Sequence, residues 1–228
     1  VPAGMSFLSG ILNKLHLKQI GNFDEIWIPD EASGFKLSGE LSNCSLKNVR
    51  RLGILSRFGS GTNLQSEIFD IVALVSGPEP QRTNFEKILR GQLIQSKQKS
   101  ILVKGKPGIN GKVVNGLLTE VDHLTSCELE STLKQTKTVI SRSGYSTIMD
   151  LATLGKKAIF IPTPGQTEQE YLARYLEKKG MAVRQAQNNL NLDDGMSHMN
   201  AISSLPLTRP NSELREAIQT LIGNNVSE

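Results

Sequence analysis

The segment Thr138-Val139-Ile140-Ser141-Arg142-Ser143-Gly144-Tyr145-Ser146-Thr147-Ile148-Met149-Asp150 decides the fold. Its apolar, β-branched start predicts a buried strand over residues 138–141. Gly144 permits a tight turn and close approach of the backbone to a ligand. A helix is predicted over residues 147–154, its N-terminus near Ser146. The backbone N–H groups of Tyr145, Ser146 and Thr147 then point out of the helix, and with its dipole they favour a phosphate. One turn in, Asp150 can aim a carboxylate at vicinal hydroxyls such as those of a ribose. A structural role competes with that one: Thr147-x-x-Asp150 has the form of a capping box with Asp in place of Glu.

The next strand, residues 157–161, runs into Pro162-Thr163-Pro164-Gly165-Gln166-Thr167-Glu168-Gln169-Glu170-Tyr171. A strand end again meets a helix N-terminus, here crowded with polar side chains. Thr167-x-x-Glu170 is a good capping box, which accounts for Glu170. Gln169 has no such account, and an amide in the first turn is suited to hydrogen-bonding sugar hydroxyls.

Outward from this pair, strands and helices alternate. Strands are predicted over residues 71–75, 100–104, within 117–124, and near 181–184; helices over 83–94, 128–134, 167–179, 192–204 and 212–222. This order predicts an α/β fold, a Rossmann-like parallel sheet with helices on both faces. Ligands in such sheets bind at the carboxyl ends of the strands. Upstream lie short strands at 25–28 and 49–55, joined by a polar stretch that reads as a loop or linker. Residues 5–19 read as an amphipathic helix, suited to packing on a sheet or to lying on a membrane surface.

Composition narrows the function classes. The chain has 228 residues, 38% hydrophobic and 21% charged, as expected of a globular protein. Aromatics are scarce at 5%, with one tryptophan, Trp27. That argues against a single-stranded nucleic-acid binder, which needs stacking platforms, and no nucleic-acid partner is expected. The formal charge of +4 suits an anionic ligand or an acidic membrane face. The basic residues are dispersed, however, as in Lys97, Lys99, Lys104 and Lys106, and read as a solvated surface. Cys44 and Cys127 match no metal or redox spacing; two lone cysteines fit a reducing compartment, or could pair in an oxidising one. No apolar run reaches the roughly 20 residues of a membrane span. The first residues lack a signal-peptide layout, and the chain starts at Val1, as a processed product or part of a longer one would.

The paired loops resemble the donor-binding signature of the family 28 glycosyltransferases, which have the GT-B fold. That signature is a strand, Arg-Ser/Ala-Gly-Ala-x-Thr-x-x-Glu, a second strand ending in Pro, and then Gln-Gln before a helix. The counterparts here are Arg142-Ser143-Gly144, Thr147, Asp150, Pro162 and Gln169-Glu170. The resemblance implies that residues 54–228 form the C-terminal, sugar-nucleotide-binding domain, and that residues 1–53 are the tail of an N-terminal domain plus its linker. It implies ribose binding by Asp150, diphosphate binding by Arg142, Ser143, Gly144, Tyr145, Ser146 and Thr147, and sugar contacts from Gln169 and Glu170. Gly53-Ile54-Leu55-Ser56-Arg57 stands where the family has Gly-Asn-Pro-Val-Arg, which implies a place for Arg57 beside the nucleotide. The turn Ser76-Gly77-Pro78-Glu79-Pro80-Gln81-Arg82 replaces a glycine-rich loop. Ser76, Gly77 and Arg82 are its diphosphate candidates, with a plain helix-capping turn as the other reading. Ser126 aligns with the position that reads the base through its backbone.

There are three departures. Asp150 is one methylene shorter than Glu, Glu170 replaces the second Gln, and Tyr145 replaces a small residue.

The function implied is transfer of a sugar, with inversion, from a nucleotide-diphosphate donor, UDP in the first instance, to a glycan or lipid-linked acceptor. No metal and no cofactor are expected; helix N-termini and basic side chains stabilise the leaving diphosphate. The acceptor half and the catalytic base are expected from an N-terminal domain or partner subunit. No base is nominated among His16, His123 and His198. A sugar-nucleotide hydrolase or epimerase of the same fold, or a donor-binding module without activity, is the alternative. A cytoplasmic location with peripheral membrane contact follows from the same resemblance.

Overall fold

A computed structural model describes residues 18–59, 66–209 and 212–225. The helix read over residues 5–19 lies outside these except for its end; residues 18–20 are helical. The chain divides into two compact units, the first formed by residues up to Gly53 with those from Asn211 on, the second by Ile54–Pro210.

In the first unit, β1 (Ile26–Ile28) pairs in parallel with β2 (Val49–Arg51), Ile26 opposite Val49. The polar stretch between them is organised by one carboxylate. Asp30 is fully buried and accepts from the backbone N–H of Glu31 at 2.9 Å, of Leu37 at 3.1 Å and of Ser38 at 3.2 Å. The Ser38 hydroxyl donates to its second oxygen at 2.5 Å. The C-terminal helix, α6 (Ser212–Asn225), belongs to this unit. Gly53 has φ +68, and the space a Cβ would need is filled by the Glu213 carboxylate, so only glycine fits there.

The second unit contains β3 (Phe69–Leu74), α1 (Gln81–Gln95), β4 (Ser100–Val103), β5 (Lys112–Asn115), β6 (Leu118–Val121), α2 (Ser126–Lys134), β7 (Thr136–Ser141), α3 (Tyr145–Thr153), β8 (Lys157–Phe160), α4 (Thr167–Lys178), β9 (Ala182–Arg184) and α5 (Leu192–Ser197). The strands form one seven-stranded sheet in the order β5-β6-β4-β3-β7-β8-β9. Every pairing is parallel except β5 with β6. The sheet is thus the expected parallel one, with an antiparallel edge strand that the alternation did not reveal. All four residues of β5 are exposed, so it carries no apolar period to read. The helix expected over 192–204 is shorter, ending at Ser197.

β3 is entered first, its successors β4 and β6 lie on one side, and β7 returns on the other. The strand order therefore reverses between β3 and β7, which places a crevice outside their carboxyl ends. Both sheet faces are buried, as parallel sheets require. On one face Ile71, Ala73, Val75, Leu102, Ile140 and Ile159 meet the α1 stripe Phe85, Leu89 and Leu93, spaced at one helical turn. Their strand neighbours Val72, Val139, Ala158 and Phe160, which point to the opposite face, are also fully buried.

Ile140 sits on β7 between β3 and β8 with no exposed surface. Ile140→Ala is expected to lower the unfolding free energy by about 2–5 kcal/mol, measured by denaturant titration.

Candidate functional site

Three loops converge at the carboxyl edge, following β3, β7 and β8. The β7–α3 loop is short because α3 starts at once. Its N-cap is Gly144, with φ −68 and ψ 140, a conformation open to any residue. Gly144 is therefore not required by a strained turn, contrary to the expectation. A Cβ added there would meet nothing within 4 Å, so glycine leaves open space in front of the helix. Because α3 begins at Tyr145, Asp150 is its sixth residue and Thr147 lies inside the first turn. The Thr147/Asp150 capping box is thus absent, and that account of Asp150 falls.

The N-termini of the helices differ in a way that bears on charge. At α2, Thr125 caps with its hydroxyl and Glu128 returns its carboxylate, a full capping box. At α1, the Glu79 carboxylate accepts from the Thr83 N–H at 3.1 Å. The first turn of α4 holds Glu168 and Glu170, and Glu170 accepts from the Gly165 N–H at 3.1 Å. α3 has neither a side-chain cap nor an acidic residue in its first turn. No carboxylate of its own first turn therefore offsets the positive end of its dipole.

Arg142 does not face that space. It is 1% exposed, and its guanidinium donates to the carbonyls of Ile161 at 3.0 Å and Pro162 at 3.1 Å, to the Gln81 carbonyl at 3.4 Å, and to Gln187 Oε1 at 2.5 Å. It stacks 3.9 Å over the Phe85 ring. Burial pushes its pKa down to about 10, so it remains a cation at neutral pH. The structure therefore gives Arg142 a scaffolding position, where the expectation was a diphosphate contact. Arg82 is similarly engaged, with Glu79, with Glu86 at 3.2 Å and with the Lys104 carbonyl at 3.1 Å.

Ser143 is buried and donates to the Gln169 carbonyl at 2.7 Å, tying the β7 loop to α4. Gln169 does have a structural account: its Oε1 accepts from the Thr163 N–H at 2.9 Å and its Nε2 donates to Gln166 at 2.5 Å. Glu170 faces a different space, a cavity of about 220 Å³ shared with Arg174, Arg184 and Gln187. Tyr145 and Thr147 are half-buried and Ser146 is exposed.

At the end of β3, Ser76 and Gly77 are exposed. Gly77 has φ +113, which demands glycine, and the nearest atom to a Cβ there is Thr163 Oγ1 at 4.0 Å. That hydroxyl is buried and has no hydrogen-bond partner. Ser126 is exposed at the start of α2, after a strand separated from β3 by β4.

Asp150 is gripped from outside its helix. Its Oδ1 accepts from the Ser56 hydroxyl at 2.7 Å and its Oδ2 from Arg57 Nε at 3.0 Å. Arg57 and Asp150, both nucleotide candidates in the sequence, are thus brought together. Ser56 carried no sequence signal, because its partner is 94 residues away.

His123 is exposed, and His198 Nδ1 lies 2.8 Å from the Asp194 carbonyl. Among the described residues, no group of three or more His, Cys, Asp or Glu side chains is placed to hold a metal. A larger cleft, about 740 Å³, lies by the amino ends of β7 and β8 among Asp70, Thr136, Lys137, Lys156 and Lys157.

The glycosyltransferase family 28 C-terminal domain matches residues 83–221. The chain belongs to that family. Among curated proteins it is similar to the UDP-N-acetylglucosamine–N-acetylmuramyl-(pentapeptide) pyrophosphoryl-undecaprenol N-acetylglucosamine transferase of Bradyrhizobium sp. strain BTAi1. The two are 32% identical over 82 residues, covering 35% of this chain and 22% of the relative. The enzyme of the same name from Rhodopseudomonas palustris strain BisB18 is 38% identical over 64 residues, 27% of this chain and 17% of its own length. The matches thus span about a fifth of the relatives. Among solved structures, MurG of Acinetobacter baumannii superposes with a TM-score of 0.54 at 17% identity, covering 78% of this chain and 57% of that one. The spinosyn forosaminyltransferase SpnP gives 0.54 at 12% identity, covering 87% and 53%. These likenesses establish the GT-B type of α/β fold. Among the described residues, no helix is long and apolar enough to cross a membrane.

Arg142→Met removes the donors that satisfy the Ile161 and Pro162 carbonyls. It should cost about 2–4 kcal/mol of stability in a denaturant titration. Unchanged stability with weakened nucleotide binding would return Arg142 to the ligand.

Proposed function

We propose that residues 54–210 bind the nucleotide diphosphate of an activated sugar, UDP in the first instance, across the β3/β7 switch point. The observation that carries this is the uncapped, acid-free N-terminus of α3 behind Gly144, open where a phosphate would dock, in a chain of this family. The amides of residues 145–147 face the diphosphate and stabilise the charge that develops as it leaves. Ser146 and Thr147 add hydroxyls, Tyr145 flanks the turn, and Ser76 and Gly77 close it from the β3 side. Asp150 receives the ribose hydroxyls, with Arg57 beside it. Ser126 meets the base through its backbone. Gln169 borders the sugar. Ser143, Arg142 and Arg82 hold the loops in place.

In the whole protein this site serves transfer of the sugar to an acceptor, with inversion and without a metal. The relatives are named as transferases acting on an undecaprenol-linked acceptor. By that likeness we assign a glycan or lipid-linked acceptor and peripheral contact with a membrane. Acceptor binding and the catalytic base fall to a second Rossmann-like domain or partner subunit, of which residues 1–53 are the tail and linker.

Calorimetry tests the donor site. The chain should bind UDP, and bind it more tightly than 2′,3′-dideoxy-UDP. Asp150→Asn should weaken UDP about ten- to hundredfold and abolish that preference, because it removes a charge-assisted acceptor. Absence of UDP binding by the unaltered chain would refute the assignment.

A further inference from the structure

We propose that Ser56 and Arg57 form a latch on Asp150 that the nucleotide must displace. The proposal rests on the ribose-binding role assigned above to Asp150. Each carboxylate oxygen already holds one donor, Ser56 Oγ at 2.7 Å on Oδ1 and Arg57 Nε at 3.0 Å on Oδ2. Two donors on two oxygens is the pattern a ribose diol makes; each oxygen keeps a second lone pair, so the competition is for access to the carboxylate rather than for its last acceptor site.

Exposure makes the competition direct. The Asp150 side chain is 11% exposed, whereas that of Arg57 is 54% exposed. With so little of the carboxylate open to solvent, a diol reaches it only past the donors that cover it, and Arg57 is the half-solvated one. Arg57 gains hydration when it leaves, and the diol hydroxyls replace its donor on the buried carboxylate.

The segment yields as a piece. Ser56 Oγ also accepts from the Phe58 N–H at 3.1 Å, and the Arg57 guanidinium lies 5.0 Å over the Phe58 ring. Donor binding therefore changes the conformation of residues 54–58, just past the boundary between the two units.

Calorimetry on Ser56→Ala and Ser56→Thr, with UDP and 2′,3′-dideoxy-UDP as probes, decides it. Ser56→Ala should bind UDP about three- to tenfold more tightly, the gain from losing one hydrogen bond to a charged group. It should gain nothing with the dideoxy nucleotide. Ser56→Thr keeps the hydroxyl and should match the unaltered chain. In that chain, saturating UDP should speed amide exchange over residues 54–58. Unchanged or weaker UDP binding by Ser56→Ala with the melting temperature retained, or slower exchange, would overturn the latch. If the unaltered chain binds no UDP, the nucleotide site falls first and the latch with it.

Discussion

A guanidinium buried without a carboxylate holds the carboxyl edge of this sheet together. Arg142 leaves the end of β7 and reaches the β8 loop through two carbonyls, the first residue of α1 through a third, and the turn after β9 through Gln187. A buried charge is costly unless it is hydrogen-bonded; Nε has no partner among the described residues, so the bonds from the two terminal nitrogens carry that cost and hold these four points where they are. The Phe85 ring beneath the guanidinium anchors it to the core stripe of α1. Breaking the set would strand both a cation and the carbonyls it serves. Residues that look like ligand contacts in a linear motif therefore divide in three dimensions: Arg142 points back into the scaffold, and Gly144, two residues on, faces open space.

With that edge held, electrostatics selects one helix end for an anion. Glu79 sits at the start of α1, Glu128 at the start of α2, and Glu168 and Glu170 at the start of α4. Each places a negative charge where a phosphate would otherwise go. The first turn of α3 has none, and its N-cap has no side chain to turn inward. The same helix carries Asp150, so the proposed phosphate and ribose contacts lie on one rigid element, as an extended nucleotide requires. Tension between the Asp150 carboxylate and its present partners makes the segment at 54–58 responsive to what occupies the site.

Much of the fold was legible because parallel strands buried on both faces are continuous apolar runs. Those at 71–75 and 138–141 could be read directly, whereas the wholly exposed β5 could not. Helix starts were read late, at 83 and 147 against Gln81 and Tyr145, since Pro80 and Gly144 cap without a side-chain signal. The strand-turn-helix at residues 141–147 was legible because it follows from backbone pattern. The site was not legible where a side chain has a distant partner. Gln187 beneath Arg142 and Ser56 on Asp150 lie 45 and 94 residues from the groups they bond. Gln169 was read as a group awaiting a sugar because its bonds to Thr163 and Gln166 run within a loop whose geometry has no sequence period.

The central claim is that the α3 N-terminus is where a nucleotide diphosphate docks. Titrating the isotopically labelled chain with UDP, and following backbone amide resonances, tests it most directly. The account predicts that the largest shifts fall on Gly144, Tyr145, Ser146 and Thr147, with a second group at Gly77. Shifts centred instead on Lys137, Lys156 and Lys157, in the cleft at the opposite end of the sheet, would contradict it.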